Sequence, residues 1–236
     1  MKIGAFVYDF EHKKTQEGLL YLYLNNINIE CILAAPPVKL EFYQSKIRVG
    51  PKDLVYVHPK LIAEKISTLY YVVPHNSREC ENIVRNHNLD LGIILGARIL
   101  KENIINTFKV GILNFHPGLL PENRGLDNIK WAILKGYKQG VTSHLITKEI
   151  DRGPVLLRRE IKVYPDDTFV DIFLRIQNLE QKMMVESIHL LERDLLNGKL
   201  NYAVSEKGNY FKAVPPDLET VLDRRFEEYK KDYDNL

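Results

Sequence analysis

The strongest constraint on the fold is a rhythm in the first half of the chain. Short apolar runs alternate with amphipathic stretches there, and that alternation argues for a mostly parallel β-sheet covered on both faces by helices. Ile3–Tyr8 reads as a buried strand, and Thr15–Leu24 carries Leu19, Leu20, Tyr23 and Leu24 at helical spacing. Ile29–Ala35 is a second strand, closed by Pro36-Pro37, and Leu69–Val73 is a third, stopped by Pro74. Ser77 is placed to N-cap a helix running to about Asn86, with Glu79 and Glu81 in its first turn. Leu89–Leu95 and Val110–Phe115 read as further strands, and within residues 38–68 the run Leu54–Val57 suggests a short strand and Pro59–Ile66 a helix. The expected class is α/β.

The pattern then changes. Val141–Thr147 and Val155–Val163 are two extended segments separated by Glu149-Ile150-Asp151-Arg152-Gly153-Pro154. Thr168–Leu196 is a long amphipathic helix ended by Asn197-Gly198. Residues 217–236 hold seven acids against four bases and read as a solvated terminal helix. With 236 residues the chain suits one catalytic domain, residues 1–200, and a short C-terminal extension, residues 201–236.

Charge and cysteine content narrow the function classes. Lys plus Arg is 33 and Asp plus Glu is 31, a net +2, which lacks the basic bias of many nucleic-acid binders. Two cysteines make neither a disulfide framework nor a Cys-rich zinc site, and Cys31 and Cys80 are expected as reduced core residues. Asp9 and Glu11 arrive too early for a secretory h-region, and no apolar run approaches the ~18–20 residues of a membrane helix. The expectation is a cytoplasmic protein with no metal, no nucleic-acid partner and no membrane partner; a homodimer is left open.

The densest cluster of unusual residues is Asn114-Phe115-His116-Pro117-Gly118-Leu119-Leu120-Pro121-Glu122-Asn123-Arg124-Gly125, directly after the strand at 110–113. In open α/β sheets, ligands sit beyond the carboxyl ends of strands. Asn114 and His116 are alternate residues, so an extended chain puts them on one side. An amide donates two N–H bonds and an imidazole exchanges a proton near neutral pH. Together they suit an acyl transfer in which a carbonyl oxygen becomes an oxyanion. No Ser or Cys sits in a nucleophile elbow, so the nucleophile is expected to be the substrate's own amine. Asp151, in the sharp loop between two extended segments, is the candidate to orient and charge the histidine.

Three motifs together carry a resemblance. Asn114-x-His116 with Leu119-Leu120-Pro121 and Arg124-Gly125 resembles the signature of the 10-formyltetrahydrofolate-dependent formyltransferases. Thr142-Ser143-His144-(x6)-Asp151-x-Gly153-Pro154-Val155 resembles that family's second motif, and Gly96-Ala97-Arg98-Ile99-Leu100 resembles the segment lining its folate pocket. The resemblance covers about residues 1–165. It implies a Rossmann-like, mostly parallel sheet flanked by helices, with 10-formyltetrahydrofolate as co-substrate. It matches Asn114, His116 and Asp151 to the catalytic triad. It matches Arg98, Ile99 and Leu100 to the pteridine-side wall, Glu149 and Ile150 to the loop closing over the pteridine, and His144 to a histidine close to the site, grouped with the folate-binding residues. One departure is Gly118, where the family commonly has Ser.

Three acceptors compete within that family: glycinamide ribonucleotide, methionyl initiator tRNA, and an amino sugar carried on a nucleotide. The purine enzymes have a Gly- and Ser-rich phosphate loop where this chain reads Tyr8-Asp9-Phe10-Glu11-His12, whose carboxylates would repel a phosphate unless Lys13 and Lys14 compensate. The tRNA enzymes carry a second domain for which few residues remain here, and the tail is acidic where a tRNA surface is basic. Gly208-Asn209-Tyr210-Phe211-Lys212-Ala213-Val214-Pro215-Pro216-Asp217 is similar to a segment after the catalytic domain in tRNA and sugar formyltransferases. The expected acceptor is the primary amine of a nucleotide-linked deoxyamino sugar of the kind used in bacterial surface polysaccharide.

Overall fold

A computed structural model describes residues 1–39, 45–200, 202–204 and 206–236. Residues 40–44, within the stretch 38–68, and Asn201 and Ser205, within the C-terminal extension, lie outside the described residues. In chain order the elements are β1 (Ile3–Tyr8), α1 (Lys13–Leu24), β2 (Cys31–Ala35), α2 (Pro59–Lys65), β3 (Leu69–Val72), α3 (Arg78–His87), β4 (Leu91–Ile94), α4 (Glu102–Ile105) and β5 (Gly111–His116). They continue with β6 (Arg124–Gly125), α5 (Asn128–Lys135), β7 (Gly140–Leu145), β8 (Val155–Glu160), α6 (Phe169–Leu196), β9 (Tyr210–Phe211), α7 (Pro216–Glu219) and α8 (Leu222–Asp232).

Among the described residues a seven-stranded sheet runs β3-β2-β1-β4-β5-β7-β8. Its first five strands are parallel, and β7 and β8 are antiparallel additions. The alternation of strand side chains divides them between two cores. Ile3, Ala5 and Val7 of β1 and Ile32 and Ala34 of β2 face a core shared with α1, α2, α5, α6 and α8. Phe6, Cys31 and Leu33 face the other, built with α3 and α4. The α/β expectation and the Rossmann-like layering are what the structure shows. Cys31 and Cys80 are free and buried, and burial pushes both thiols up to about 12.

Local signals place the helices well. Ser77 accepts a hydrogen bond from the Cys80 amide at 3.1 Å, and Asn88 ends that helix in the left-handed region at φ 51°. Thr168 and Asp171 form a reciprocal capping box at the start of α6. Leu54–Val57 is not a strand. Leu54, Val55 and Val57 are exposed, Val55 at 92%, and the Val57 amide donates to Gln16. The tail is helical, but it is solvated on one face only. Leu222, Phe226, Tyr229 and Tyr233 are buried in the larger core, with the Phe226 ring stacked 4.3 Å from Phe169.

A buried ion pair ties the tail to the site. The Lys130 ammonium on α5 lies 2.8 Å from Glu219 on α7, with both side chains 3% exposed, and it also donates to Ser45. Removing one partner strands the other charge in the interior, at a cost of about 3–5 kcal/mol. Lys130→Met is therefore expected to lower the urea midpoint sharply; a midpoint close to that of the parent protein would show that the pair contributes little.

Candidate active site

The strand order reverses between β1 and β4, and the crevice beyond their carboxyl ends is where open α/β sheets bind ligands. A cleft of about 610 Å³ lies there, within the ~300–1,000 Å³ of small-molecule sites. Arg98, Ile99, Leu100, Glu149 and Ile150 line it together with Asn114, His116 and Asp151. The three stretches that the sequence suggested thus meet on one cleft. Asn76, which sequence reasoning missed, pins the Ile99–Lys101 turn: its amide donates to the Ile99 carbonyl at 2.9 Å and accepts from the Lys101 amide at 2.8 Å.

Register does much of the positioning. Antiparallel pairing of β5 with β7 sets Asn114 opposite His144 and His116 opposite Thr142, and opposed residues share a face. The Asn114 amide nitrogen lies 3.2 Å from His144 Nε2. His144 Nδ1 lies 3.2 Å from the Leu145 carbonyl, which can only accept, so Nδ1 carries the proton and Nε2 accepts from Asn114. His144 is completely buried and does not line the cleft; it sits behind Asn114 and holds its amide. Burial, and secondarily the His116 charge, lower its pKa to about 4 against a favourable contribution from Asp151.

That depression has a stability consequence. The unfolded chain takes up the His144 proton near ~6.5, before the folded chain does, so stability is full above that pH and falls as pH drops from ~6.5 toward about 4. His144→Gln keeps an acceptor for Asn114 without this titration. Urea midpoints of the two proteins, followed from pH 7 to 4, should fall more steeply for the parent; parallel curves would contradict the assignment.

His116 is 4% exposed. Its Nε2 donates to the Asn123 carbonyl at 2.7 Å, which leaves Nδ1 on the Asp151 side, 3.5 Å from Oδ1. Asn128, which no sequence signal marked, clamps the same loop: its amide donates to the Asn123 carbonyl at 3.0 Å, and the Asn123 amide donates to the Asn128 carbonyl at 2.8 Å. Thr142 answers the Gly118 departure. Its hydroxyl donates to the Gly118 carbonyl at 2.8 Å and accepts from the Leu120 amide at 3.0 Å, so the loop is held without a side chain at 118. A Cβ on Gly118 would lie 2.8 Å from the Asn123 carbonyl oxygen, closer than atoms pack without a shift.

Asp151 sits at φ 52° in the β7–β8 loop, a conformation that Asp adopts more readily than most residues. Its Oδ2 accepts from the Gly125 amide at 3.0 Å, while Oδ1 lies 3.5 Å from His116 and 3.8 Å from His144. Gly153 lets the loop turn back, since a Cβ there would lie 1.6 Å from the Leu145 carbonyl oxygen. Arg124 locks this loop to the C-terminal segment, donating to the Ile150 carbonyl at 2.6 Å and to the Gly208 carbonyl at 3.2 Å, while β6 pairs with β9.

A second cavity of about 390 Å³ adjoins the cleft, the two sharing His12, Lys14, Pro117, Asp127 and Asn128. At this junction the Lys14 ammonium donates to the Phe115 carbonyl at 3.0 Å and to Glu180 at 3.1 Å; burial raises the Glu180 pKa. The β1–α1 turn differs from expectation. Asp9 accepts from the Tyr70 hydroxyl, and neither Asp9 nor Glu11 lines the cleft or the adjoining cavity. Tyr8 and Phe10 stack there instead, 4.9 Å apart, and Lys13 and Lys14 are each paired with a glutamate. Among the described residues, no group of three or more His, Cys, Asp or Glu is placed to hold a metal, and no helix is long and apolar enough to cross a membrane.

Comparison with known proteins identifies the family and the fold. The chain is 34% identical over 221 residues to the methionyl-tRNA formyltransferase of Thermotoga neapolitana, covering 88% of this chain and 67% of that one. It spans only 55% of the Thermotoga maritima counterpart, at 29% identity over 75% of this chain. Among solved structures, a sugar N-formyltransferase from Shewanella sp FDAARGOS_354 matches with a TM-score of 0.61 at 21% identity, over 95% of this chain and 87% of that one. A phosphoribosylglycinamide formyltransferase from Streptococcus pneumoniae TIGR4 gives 0.60 at 20%, over 80% and 98%. A formyltransferase from Anoxybacillus kamchatkensis, in complex with UDP-4,6-dideoxy-4-formamido-L-AltNAc and tetrahydrofolate, gives 0.54 at 24%, over 77% and 91%. The formyl transferase family matches residues 46–188, which span the cleft's polar centre and more than half of the chain, and this protein belongs to that family.

Proposed function

We propose that the protein transfers a formyl group from 10-formyltetrahydrofolate to the primary amine of a nucleotide-linked deoxyamino sugar, in the assembly of surface polysaccharide. The observation that carries the reading is that Asn114, His116 and Asp151 line one cleft, which shares Pro117 and Asn128 with the smaller cavity. The larger cleft has an apolar wall at Ile99 and Leu100 and a polar rim at Glu149, which suits the flat, hydrogen-bonding pteridine of the donor. The smaller cavity is left for the acceptor.

In the reaction the neutral amine attacks the formyl carbon, the bond from that carbon to the donor nitrogen breaks, and a proton passes from the amine to that nitrogen. Asn114 spends one amide N–H on His144 and directs the other at the developing oxyanion. His116, its Nε2 tied to Asn123, works through Nδ1. Asp151 stabilises the imidazolium that forms and helps remove the amine proton. The residues act by direct transfer, with no covalent enzyme intermediate.

One feature supports a sugar over glycinamide ribonucleotide. The β1–α1 turn is filled by stacked rings and paired lysines, not by glycines open to a phosphate. Methionyl-tRNA is the second reading, favoured by the names of the sequence relatives. Release of tetrahydrofolate should be measured with a panel of UDP- and dTDP-linked 3- and 4-amino deoxyhexoses, with glycinamide ribonucleotide and with methionyl initiator tRNA. Turnover with one of the sugars supports the proposal; efficient formylation of the tRNA or ribonucleotide alone would overturn it.

A further inference from the structure

A histidine at the boundary of the two cavities keeps one ring nitrogen without a partner. His12 stands just before α1, lines both the larger cleft and the smaller cavity, and caps no helix amide with its side chain. Its Nδ1 lies 2.9 Å from the Thr15 hydroxyl, which donates its own proton to the Leu95 carbonyl at 3.2 Å. Thr15 can therefore only accept from the ring, so Nδ1 carries the proton and Nε2 is left as an acceptor. Burial, and secondarily the Lys14 charge, lower the His12 pKa against a favourable contribution from the Leu95 carbonyl, which keeps the ring neutral at pH 7. Nε2 has no hydrogen-bond partner among the described residues and is not sealed inside the protein. Tyr8 and Phe10 meet the ring edge to face, at 5.3 and 6.4 Å, and hold its plane. The ring also stands beside the strand that carries the chemistry. Two residues on, Lys14 donates to the Phe115 carbonyl at 3.0 Å, between Asn114 and His116, and Pro117 shares both cavities with His12.

We infer that His12 is a specificity-determining residue for the acceptor: its Nε2 accepts a hydrogen bond from an O–H or N–H of the amino sugar where that sugar crosses from the smaller cavity toward the formyl donor. This rests on the amino-sugar reading above. The acceptor has to cross this boundary, because its amine must reach a formyl group held in the larger cleft while the rest of the molecule occupies the smaller cavity. Lys14, beside His12 at the boundary, can only donate. A neutral ring with its tautomer fixed by Thr15 presents the opposite polarity, a lone pair, at a set position. A site built to bond a substrate donor discriminates strongly against an analogue that lacks it.

Two amide substitutions separate the two ring nitrogens. His12→Gln reaches the Nε2 position and offers an oxygen there. His12→Asn reaches only the Nδ1 position, where it keeps a donor for Thr15 and offers nothing at Nε2. The test uses the full chain with the UDP- or dTDP-linked amino deoxyhexose that it formylates. His12→Asn should raise the KM for the sugar at least tenfold, with kcat and the KM for 10-formyltetrahydrofolate each within about twofold of the parent. His12→Gln should restore the sugar KM to within about threefold of the parent. The reverse order, with Asn close to the parent and Gln impaired, would make His12 a structural tie to Thr15 and overturn the inference. A rise in the 10-formyltetrahydrofolate KM in place of the sugar KM, or a sugar KM unchanged by either variant, also overturns it. Circular dichroism and urea midpoints show whether the variants fold. If they do not, the parent decides: 15N NMR of its histidines should show an unprotonated His12 Nε2 whose resonance moves when the amino sugar joins the tetrahydrofolate complex, and a protonated or unmoved Nε2 overturns the inference. The amino-sugar reading survives each of these failures; a parent protein that formylates no nucleotide-linked amino sugar overturns both.

Discussion

Asn114→Ala and His116→Ala should each lower turnover by roughly 100-fold or more while the chain stays folded. The magnitude follows from what each side chain is asked to do. A donor aimed at an oxyanion in a water-poor cleft is worth about 3–4 kcal/mol, and Asn114 has its amide fixed in advance by His144 at 3.2 Å. His116, its Nε2 proton spent on the Asn123 carbonyl at 2.7 Å, acts instead by taking up a proton at Nδ1, and loss of a positioned acid–base group costs about 100- to 10,000-fold. Because the interactions act on the transition state, kcat and kcat/KM should fall together, with tetrahydrofolate binding nearly unchanged. Single-turnover formyl transfer with the amino sugar is the measurement, accompanied by urea unfolding to establish that the variants fold. A folded variant that retained near-parent turnover would remove that residue from the mechanism.

Asp151→Asn should be as damaging, lowering turnover by about 100- to 10,000-fold, the range for positioned acid–base groups. The hydrogen bonds dictate why an isosteric change costs so much. One Asp151 oxygen accepts from the Gly125 amide at 3.0 Å, so an asparagine must turn its carbonyl oxygen to that amide. Its N–H₂ then faces His116 Nδ1, which lies 3.5 Å from the other Asp151 oxygen. The nitrogen that has to take up a proton is thereby occupied by a donor, and the negative charge that would stabilise the imidazolium is gone. The fold should be unaffected, since shape and the Gly125 bond are kept. Turnover within tenfold of the parent would reduce Asp151 to a shaping role in its loop.

Much of the strand-and-helix order was legible in the sequence, for local reasons. Ile3–Tyr8 is a continuous apolar run because both of its faces are covered, and Ser77 and Thr168 marked helix starts because their side chains bond amides within three residues. Where packing outweighed composition, the sequence misled. The acidic tail looked solvated because charge count ignores face, yet Phe226 and Tyr229 recur three residues apart and are buried. Val55 and its neighbours looked like a strand, but no partner strand lies beside them among the described residues.

The candidate site divides in the same way. Asn114, His116 and Asp151 were suggested by residue type and by the family resemblance together, since alternate positions on a strand share a side and a turn can be read from Gly153-Pro154, and the structure brings the three onto one cleft. The partners that aim them were not. His144 meets Asn114 only through the antiparallel register of β5 with β7, Asn128 clamps the Asn123 loop from the first turn of α5, and Lys14 reaches Glu180 across 166 residues. Periodicity and propensity describe a chain to its nearest neighbours along the sequence. Which side chains face one another across strands, and which ring nitrogen is left open to a cavity, depends on contacts between distant segments, and those exist only once the sheet has closed around its two cores.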